Sequence, residues 1–283
     1  MSNVPSLTEL LEAGAHFGHR SSRWHPKMAP FIFGTRGGVH ITNLEETQKH
    51  LSAALDYVSS VASRGGMILF VGTKPQARSI VAKYATETGM PHVTNRWLGG
   101  TLTNFTEIKR LIKKFLDLKD KEAKGELKKY TKKEQLWFSR DIVDMDRKVG
   151  GVQSMLSTPE AMFIVDIKAE KTALAEAKHK GVKVIAICDT NVNPTDVDFC
   201  IPANDDGVKS IELITSLIAE AIKEGKANAV KAAAVAAVEK EKAAQAKSEE
   251  EARVKAEAVE AVAELDDKIA EELAEEKTKE KVS

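Results

Sequence analysis

The sequence predicts an α/β domain built on a mainly parallel sheet. Between residues 66 and 224, short apolar segments alternate with amphipathic helical segments, which is typical of strands joined by crossover helices. The apolar segments are rich in Val, Ile, Leu and Phe, as expected for strands that are buried on both faces. A chain of 283 residues can form one such domain and still carry appendages.

Four strands and three crossover helices are predicted in this region. The strands are Met67–Val71, Met162–Asp166, Val182–Asp189 and Phe199–Pro202. The helices are Pro75–Thr88, Glu170–Lys180 and Gly207–Glu224. The last helix has apolar residues at helical spacing over most of its length, so its apolar face should pack on the sheet.

The N-terminal part is predicted to contain a short helix, a β-hairpin and a longer helix. The short helix covers Leu7–Gly14 and the longer one Asn43–Ser63. The hairpin covers residues 31–41, and Gly37 and Gly38 supply its turn because glycine accepts the positive φ angles that tight turns require.

A helical hairpin interrupts the α/β pattern between Thr106 and Gly150. Apolar residues at helical spacing occur on both sides of a polar stretch near Gly125–Tyr130, which favours two antiparallel helices joined there. Thr131 and Glu134 have the spacing of a capping box at the start of the second helix.

Three regions follow from these elements. The α/β domain comprises residues 1–105 and 151–225, the inserted helical hairpin residues 106–150, and an Ala/Glu/Lys-rich tail residues 226–283. Since the tail has no aromatic residue, we expect a flexible, partly helical extension. The alternative is a helix that docks on a partner through Val262, Leu265, Ile269 and Leu273.

The net charge of zero conceals an uneven distribution. The chain has 42 Lys/Arg and 42 Asp/Glu, but the tail holds 11 and 15 of them, which leaves 31 and 27 in residues 1–225. The excess of cations is concentrated in two places, the N-terminal segment and the helical hairpin.

The N-terminal cationic segment, residues 16–40, interleaves cations with aromatic residues. It begins HFGHRSSRWHPK and continues through Arg36, and the sequence has no acid from Ala13 to Leu44. Guanidinium and ammonium groups bind phosphate, while Trp24 or Phe17 could stack on an unpaired base, so this composition favours RNA binding. In the alternative interpretation, Trp24, Phe31 and Phe33 anchor the segment to the sheet and its cations are only solvated.

The helical hairpin carries the second group of cations. Four acids lie between residues 109 and 133: Asp117, Asp120, Glu122 and Glu126. Against them stand Lys109, Arg110, Lys113, Lys114, Lys119, Lys121, Lys124, Lys128, Lys129, Lys132 and Lys133. A basic helical arm suits a phosphate backbone, because each neutralised phosphate releases counterions. A merely solvated helix face is the alternative.

Two glycine-containing loops could bind an anion but lack a specific motif. Gly99-Gly100 precedes hydroxyl and amide side chains, so it could form either an anion cradle or a tight turn with a helix cap at Thr103 or Asn104. Residues 71–76 follow a strand but match neither nucleotide-binding fingerprint. Lys74 and Arg78 are therefore interpreted as solvated.

An enzyme acting on a phosphorylated small molecule is the alternative function. Asp166 and Asp189 end parallel strands, where open α/β sheets place their ligand sites, and residues 204–206 (Asn-Asp-Asp) add further carboxylates. With His16 or His19 these groups could hold a divalent ion. No serine elbow or zinc-ligand spacing is present, so we expect capping aspartates, no catalysis and no cofactor.

The remaining signals favour the cytoplasm. Cys188 and Cys200 lie in apolar runs without CxxC spacing, which predicts buried thiols in a reducing compartment. The first residues resemble neither an export signal nor a transit peptide, and no apolar run reaches the roughly 20 residues needed to span a bilayer.

Five segments resemble, in order, successive blocks of the bacterial small-subunit ribosomal protein S2 family. They are AGAHFGHRSSRWHPKMAPFIFGTRGGVHI, ILFVGTKPQA, NRWLGGTLTN, AMFIVDIKAEKTALAEAKHKGVKVIAICDTNVNP and FCIPANDDGVKSIELIT. They lie within residues 5–224, on both sides of the predicted insertion. The bacterial branch is favoured because the insertion resembles its coiled-coil arm and no transit peptide is recognised.

The resemblance implies a doubly wound, flavodoxin-like domain with a protruding coiled-coil arm. It also implies a structural protein of the small ribosomal subunit, on the solvent side between head and body. The implied partners are 16S ribosomal RNA and neighbouring ribosomal proteins, including the large OB-fold protein that captures mRNA. We expect neither a membrane partner nor a homo-oligomer.

The resemblance also assigns RNA-facing candidates. They are Arg20, Arg23, Trp24, Lys27 and Arg36 in the N-terminal segment, Arg96 and Asn104 beside Gly99-Gly100, and Lys109, Arg110, Lys113 and Lys114 on the arm. For the tail, residues 226–283, the resemblance implies no function.

Overall fold

A computed structural model describes residues 4–230 of the chain. The chain divides into two units, Met1–Ala229 and Val230–Ser283, and every element given below begins in the first. The predictions for the tail, including the docking helix, fall on residues that lie outside the described part from position 231 onward.

The described residues form two sheets and seven α-helices. The strands are β1 (Phe17–Arg20), β2 (Ile32–Arg36), β3 (Val39–Thr42), β4 (Ile68–Val71), β5 (His92–Val93), β6 (Ala161–Ile164), β7 (Lys183–Cys188) and β8 (Phe199–Pro202). The helices are α1 (Leu7–Glu12), α2 (Leu44–Ser63), α3 (Pro75–Thr88), α4 (Phe105–Ala123), α5 (Lys132–Val149), α6 (Lys171–Lys180) and α7, described over residues 208–230. Short 3-10 helices cover Ser21–Arg23, Pro26–Phe31, Glu126–Lys129, Gly150–Val152 and Pro194–Asp196.

The larger sheet is parallel throughout and has the strand order β5-β4-β6-β7-β8. From β4 the chain first adds β5 on one side and then places β6, β7 and β8 on the other. This reversal is the arrangement of a doubly wound, flavodoxin-like sheet, so the predicted fold class is confirmed. The sequence analysis missed β5, since a two-residue strand leaves no detectable apolar run.

Both faces of this sheet are buried, as the apolar strand composition predicted. On one face, Ile68 and Phe70 of β4 join a core with α2, α3 and α7. On the other face, Leu69 and Val71 join a core with α6 and the helical hairpin. Adjacent strand residues point to opposite faces, so a strand with a core on each side must be apolar at every position.

Most predicted boundaries agree with the structure, and the differences occur at element ends. The strand predicted at Met162–Asp166 is Ala161–Ile164, because Asp166 turns away to bind backbone N–H groups of the next loop. Helix α1 ends at Glu12 rather than Gly14, whose φ of 72° is left-handed. Cys188 and Cys200 are buried free thiols, as predicted.

The smaller sheet is antiparallel and has the order β1-β3-β2. The predicted hairpin is confirmed: β2 and β3 pair, and Gly37 and Gly38 have φ angles of 58° and 76° in the turn between them. Strand β1, which pairs with the other edge of β3, was missed. Its sequence, FGHR, has no apolar alternation that could have predicted a strand.

The segment around β1 lies on the carboxyl end of the larger sheet. The backbone N–H of His19 donates to Thr190 Oγ1 at 2.9 Å, and that of His25 donates to the Thr190 carbonyl at 2.8 Å. After β8, the N–H of Asn204 donates to the Ala15 carbonyl at 3.0 Å. The chain's own N-terminal residues therefore cover the end of the sheet beyond β7 and β8.

The predicted helical hairpin is present as α4 and α5. The helices pack through buried apolar residues, among them Phe115 and Met145, and Thr131 and Glu134 form the expected capping box. Gly125, with a left-handed φ of 73°, ends the first helix. That the two helices supercoil as a coiled coil, and that residues 106–150 form a region of their own, stay predictions.

Gly18 allows β1 to approach the sheet, so replacing it should loosen this junction. A Cβ at position 18 would lie 2.6 Å from Thr190 Cγ2 and 3.0 Å from the His40 carbonyl oxygen. We expect Gly18→Ala to lower the free energy of unfolding by about 1–3 kcal/mol, measured by urea denaturation. Gly34→Ala is the matched control, since a Cβ there meets nothing within 4 Å. Equal stability of the two variants would contradict the close contact.

Candidate nucleic-acid interface

The antiparallel sheet places two of the predicted arginines in one row. Arg20 of β1 and Arg36 of β2 both pair with Val39 of the central strand, one from each side. Paired residues of neighbouring strands point to the same face, so the two guanidinium groups project from one face of this sheet. Their Cα atoms are separated by two strand spacings, about 10 Å.

The other candidates of the N-terminal cationic segment follow directly after β1. Arg23 ends a short 3-10 helix and is exposed. The Trp24 ring lies 5.3 Å from the His40 ring and is 39% exposed, so part of its surface is open for stacking. The Lys27 ammonium donates to Thr195 Oγ1 at 3.2 Å and is otherwise exposed.

The arginines of this segment are not compensated by carboxylates. Within residues 4–230, none of Arg20, Arg23 and Arg36 forms an ion pair. This agrees with the absence of acids from Ala13 to Leu44. Since no ion pair within the described residues uses these three guanidinium groups, they are available to an anionic partner.

The anchoring interpretation of the aromatic residues is wrong for Phe33 and right in part for the others. Phe33 is 79% exposed and therefore cannot anchor the segment. Phe31 is half-buried and packs edge-on against the His50 ring at 5.2 Å. Phe17, named as a possible stacking residue, is exposed and lies against the ring of His16.

The Gly99-Gly100 loop does form an anion cradle, but the protein fills it with its own carboxylate. Glu176 of α6 accepts hydrogen bonds from the Trp97 indole at 3.0 Å and from the backbone N–H groups of Gly100, Leu102 and Thr103 at 2.8–3.1 Å. The pKa of Glu176 reflects this: burial alone would raise it, but these hydrogen bonds outweigh burial and lower it. The cradle is therefore closed to an external phosphate.

Arg96 and Asn104 lie at the two ends of the loop that Glu176 fixes. Arg96 is exposed and directly precedes the buried Trp97. Asn104 occupies the N-cap position of α4, but its side chain makes no capping hydrogen bond, and the Thr103 hydroxyl donates to Glu176 instead. The predicted helix cap is therefore at Asn104 by position, but the side-chain hydrogen bond of such a cap is not formed.

The four candidates on α4 are exposed, but several are already engaged. Arg110 pairs with Glu107 at 2.7 Å, and Lys114 pairs with Asp141 of α5 at 3.6 Å. The Lys109 ammonium lies 5.2 Å above the Phe105 ring.

Towards the tip of the hairpin, Lys121 and Lys124 pair with Asp117 and Asp120 at 2.8 and 2.7 Å. The arm is less strongly cationic than the count of lysines indicated. Its charge is partly compensated along the helix.

The strand-end aspartates form a network around one lysine. Lys74, which follows β4, places its ammonium 2.7 Å from Asp166, 2.9 Å from Asp205 and 2.8 Å from Asp206. Burial lowers the pKa of Lys74, but the hydrogen bonds to Asp166 and Asp206 outweigh burial and raise it. The prediction that Lys74 is solvated is wrong, since a charge at this buried end must be paired.

Asp205 is the most strongly perturbed acid of this network. Burial first, and then the charges of Asp166 and Asp189, raise the pKa of its carboxyl from 3.8 to about 7. Asp166 also accepts hydrogen bonds from the backbone N–H groups of Lys168 and Ala169 at 2.7 and 3.2 Å. These are the loop-capping contacts predicted for strand-end aspartates.

Of the two histidines considered with the aspartates, only His19 reaches them. Its Nδ1 lies 2.9 Å from Asp189 and its Nε2 lies 3.6 Å from Asp206. The hydrogen bond with Asp189 raises the pKa of His19. His16 instead packs beside Phe17 at a separate apolar groove, and burial lowers its pKa.

A family model described as ribosomal protein S2 matches residues 10–225, well over half of the chain. The chain belongs to the ribosomal protein S2 family. Members of this family are structural proteins of the small ribosomal subunit, associated with ribosomal RNA and other ribosomal proteins, and they are not enzymes. This S2-family chain is accordingly a ribosomal protein that serves translation.

The sequence analysis missed the roles of three structurally decisive residues of this S2-family chain: Glu176 and Thr190, which it did not single out, and Lys74, which it interpreted as solvated. Glu176 gave a signal, because it shares the buried face of α6 with Ala173 and Ala177. An acid on a buried helix face requires donors, although the sequence does not show which loop supplies them.

One finding bears on membranes. Among the helices of residues 4–230, none combines the length and the apolar composition needed to cross a bilayer.

Glu176 should contribute to stability as an ionised acceptor. We expect Glu176→Gln to lower the free energy of unfolding by about 1–3 kcal/mol at neutral pH, since an amide NH2 would face N–H donors. The folded-state pKa lies below the ordinary 4.5, so the contribution is complete above pH 4.5 and is lost as the pH falls through the lower value.

The measurement is urea unfolding of both proteins from neutral to acid pH, with the exposed Glu220→Gln as control. The stability difference for position 176 should shrink on acidification. A difference that grew towards acid pH would contradict the assigned role.

Proposed function

We propose that this S2-family chain binds 16S ribosomal RNA chiefly through its N-terminal cationic segment. The observation that supports this most strongly is the row of Arg20 and Arg36 on one sheet face, with Arg23 and the half-open Trp24 ring following β1. Uncompensated guanidinium groups bind phosphate oxygens through paired N–H donors. An exposed indole beside them offers a stacking surface for an unpaired base.

The rigid support of this segment strengthens the proposal. The segment is tied to the carboxyl end of the larger sheet through Thr190, and Lys27 is held by Thr195. Side chains on a fixed backbone lose less conformational freedom on binding than side chains on a mobile loop. RNA binding therefore requires little reorganisation of the protein here.

The arm and the Glu176-held loop are proposed as secondary RNA contacts. Lys109, Arg110, Lys113 and Lys114 lie on the exposed side of α4, and Arg96 and Asn104 lie just before it. RNA would have to share Arg110 with Glu107 and Lys114 with Asp141. Existing ion pairs reduce the free energy gained from a new phosphate contact, so this surface should contribute less than the N-terminal one.

The placement on the ribosome belongs to the same proposal. We infer a position between the head and body of the cytoplasmic small subunit, where the chain supports recruitment of the OB-fold protein that captures mRNA. The resemblance of the sequence blocks motivates this placement. A phosphate-binding enzyme is not favoured, because Glu176 fills the anion cradle and Lys74 is already paired with the strand-end aspartates.

Charge reversal of the N-terminal segment tests the proposal. We expect the triple variant Arg20→Glu, Arg23→Glu, Arg36→Glu to weaken binding of 16S ribosomal RNA by at least tenfold. The slope of log K against log salt should fall by about one per lost phosphate contact, because fewer counterions are released. Filter binding over a range of salt concentrations measures both quantities.

Two further variants complete this experiment. Reversal of Lys109, Arg110, Lys113 and Lys114 should weaken binding and flatten its salt dependence less per charge than the N-terminal triple. The control reverses three exposed cations elsewhere, Lys171, Lys180 and Lys209, and should leave the slope nearly unchanged. An N-terminal triple that behaves like this control would overturn the proposal.

A further inference from the structure

Three polar atoms lie where the lysine network meets β1 and are not bound to Lys74: Asp205 Oδ2, Asp206 Oδ2 and His19 Nε2. Lys74 takes the Oδ1 atoms of Asp205 and Asp206, at 2.9 and 2.8 Å. Among the described residues, Asp205 Oδ2 has no hydrogen-bond partner, although the side chain is only 1% exposed. Burying a carboxylate oxygen without a partner is costly, so this atom requires a hydrogen-bond donor or a cation beside it.

The third atom, His19 Nε2, is oriented as a possible electron-pair donor to a cation. His19 Nδ1 lies 2.9 Å from Oδ2 of the buried Asp189, and a proton on Nδ1 leaves Nε2 with a free electron pair. Nε2 faces Asp206 Oδ2 at 3.6 Å, which is too long for a hydrogen bond. Metal-bound histidines commonly have this geometry, with one ring nitrogen on a carboxylate and the other on the ion.

The distances between the three residues suit one small cation. Ligand atoms of His19, Asp205 and Asp206 all lie within 4.8 Å of one another. Around an ion with bonds of about 2.1 Å, ligand atoms lie about 3–4 Å apart. Any separation longer than this must shorten for one ion to bind all three residues, and Asp206 can move because its side chain is 53% exposed.

We propose that His19 Nε2, Asp205 Oδ2 and Asp206 Oδ2 form a binding site for a divalent first-row transition-metal ion such as Zn²⁺ or Mn²⁺. The donor set decides the class, since imidazole suits these ions and is rarely used by Mg²⁺ or Ca²⁺. The local charge also favours a bound cation, because four aspartates lie in this cluster with the single positive charge of Lys74. They are Asp166, Asp189, Asp205 and Asp206.

Such an ion would connect the two parts of the domain. His19 belongs to β1, whereas Asp205 and Asp206 follow β8 of the larger sheet. His19 and Asp206 line a cleft of about 660 Å³, and Arg20 and Arg23 line it as well. A bound ion would therefore fix β1, and with it the adjacent arginines, on the carboxyl end of the sheet. The metal site itself does not depend on RNA binding.

The test is metal binding by the full chain, stripped with a chelator and kept RNA-free near neutral pH. Calorimetric titrations with Zn²⁺, Mn²⁺ and Mg²⁺, each alone, should show one saturable site for Zn²⁺ or Mn²⁺ and weaker binding of Mg²⁺. His19→Gln and Asp206→Asn should each weaken that binding at least about tenfold. Asp206→Asn removes an exposed charge, so it should fold normally, and circular dichroism checks this for both variants.

The controls are His179→Gln and Asp144→Asn, which alter exposed residues outside the cluster and should leave the affinity unchanged. An independent readout is the unfolding midpoint of the chain, which should rise with Zn²⁺ or Mn²⁺ in the original protein but not in folded Asp206→Asn. Three results would overturn the site: no saturable binding, equal affinity in the variants and controls, or a preference for Mg²⁺ over both ions.

Discussion

Charged groups at the carboxyl end of a buried parallel sheet need partners inside the protein, and this constraint governs the rest of the structure. Lys74 provides an ion-pair partner for Asp166, Asp205 and Asp206, and His19 contacts Asp189 through Nδ1. Glu176 meets the same requirement on α6 by taking the donors of the Gly99-Gly100 loop. The buried acids Asp166, Asp189, Asp205 and Glu176 are thus used for folding.

The uncompensated charges are directed outward. The N-terminal segment lies across the carboxyl end of the sheet, where an enzyme of this architecture would bind its substrate, and it presents Arg20, Arg23 and Arg36 to solvent. The sheet that could have held a small ligand instead supports a cationic surface. Under the proposed function, this arrangement lets a doubly wound fold act as a structural protein of the ribosome.

The sequence predicted the parts of the fold that depend on local periodicity. Strand β8 and helix α3 have the predicted bounds, and the capping box of Thr131 and Glu134 is present, because apolar runs and caps are local signals. Strand β1 escaped prediction because its partner lies some twenty residues away and its own sequence is polar. The contacts of Lys74 and Glu176 could not be predicted, since each joins residues brought together only by the crossover connections.

The central claim is that the N-terminal cationic segment faces ribosomal RNA in the assembled subunit. Residue-resolved RNA–protein crosslinking on purified small subunits tests it most directly. The account predicts crosslinks at Trp24 and its neighbours in residues 20–36, with weaker ones on α4. Crosslinks confined to the faces of α2, α3 and α7, with residues 20–36 unmodified, would contradict it.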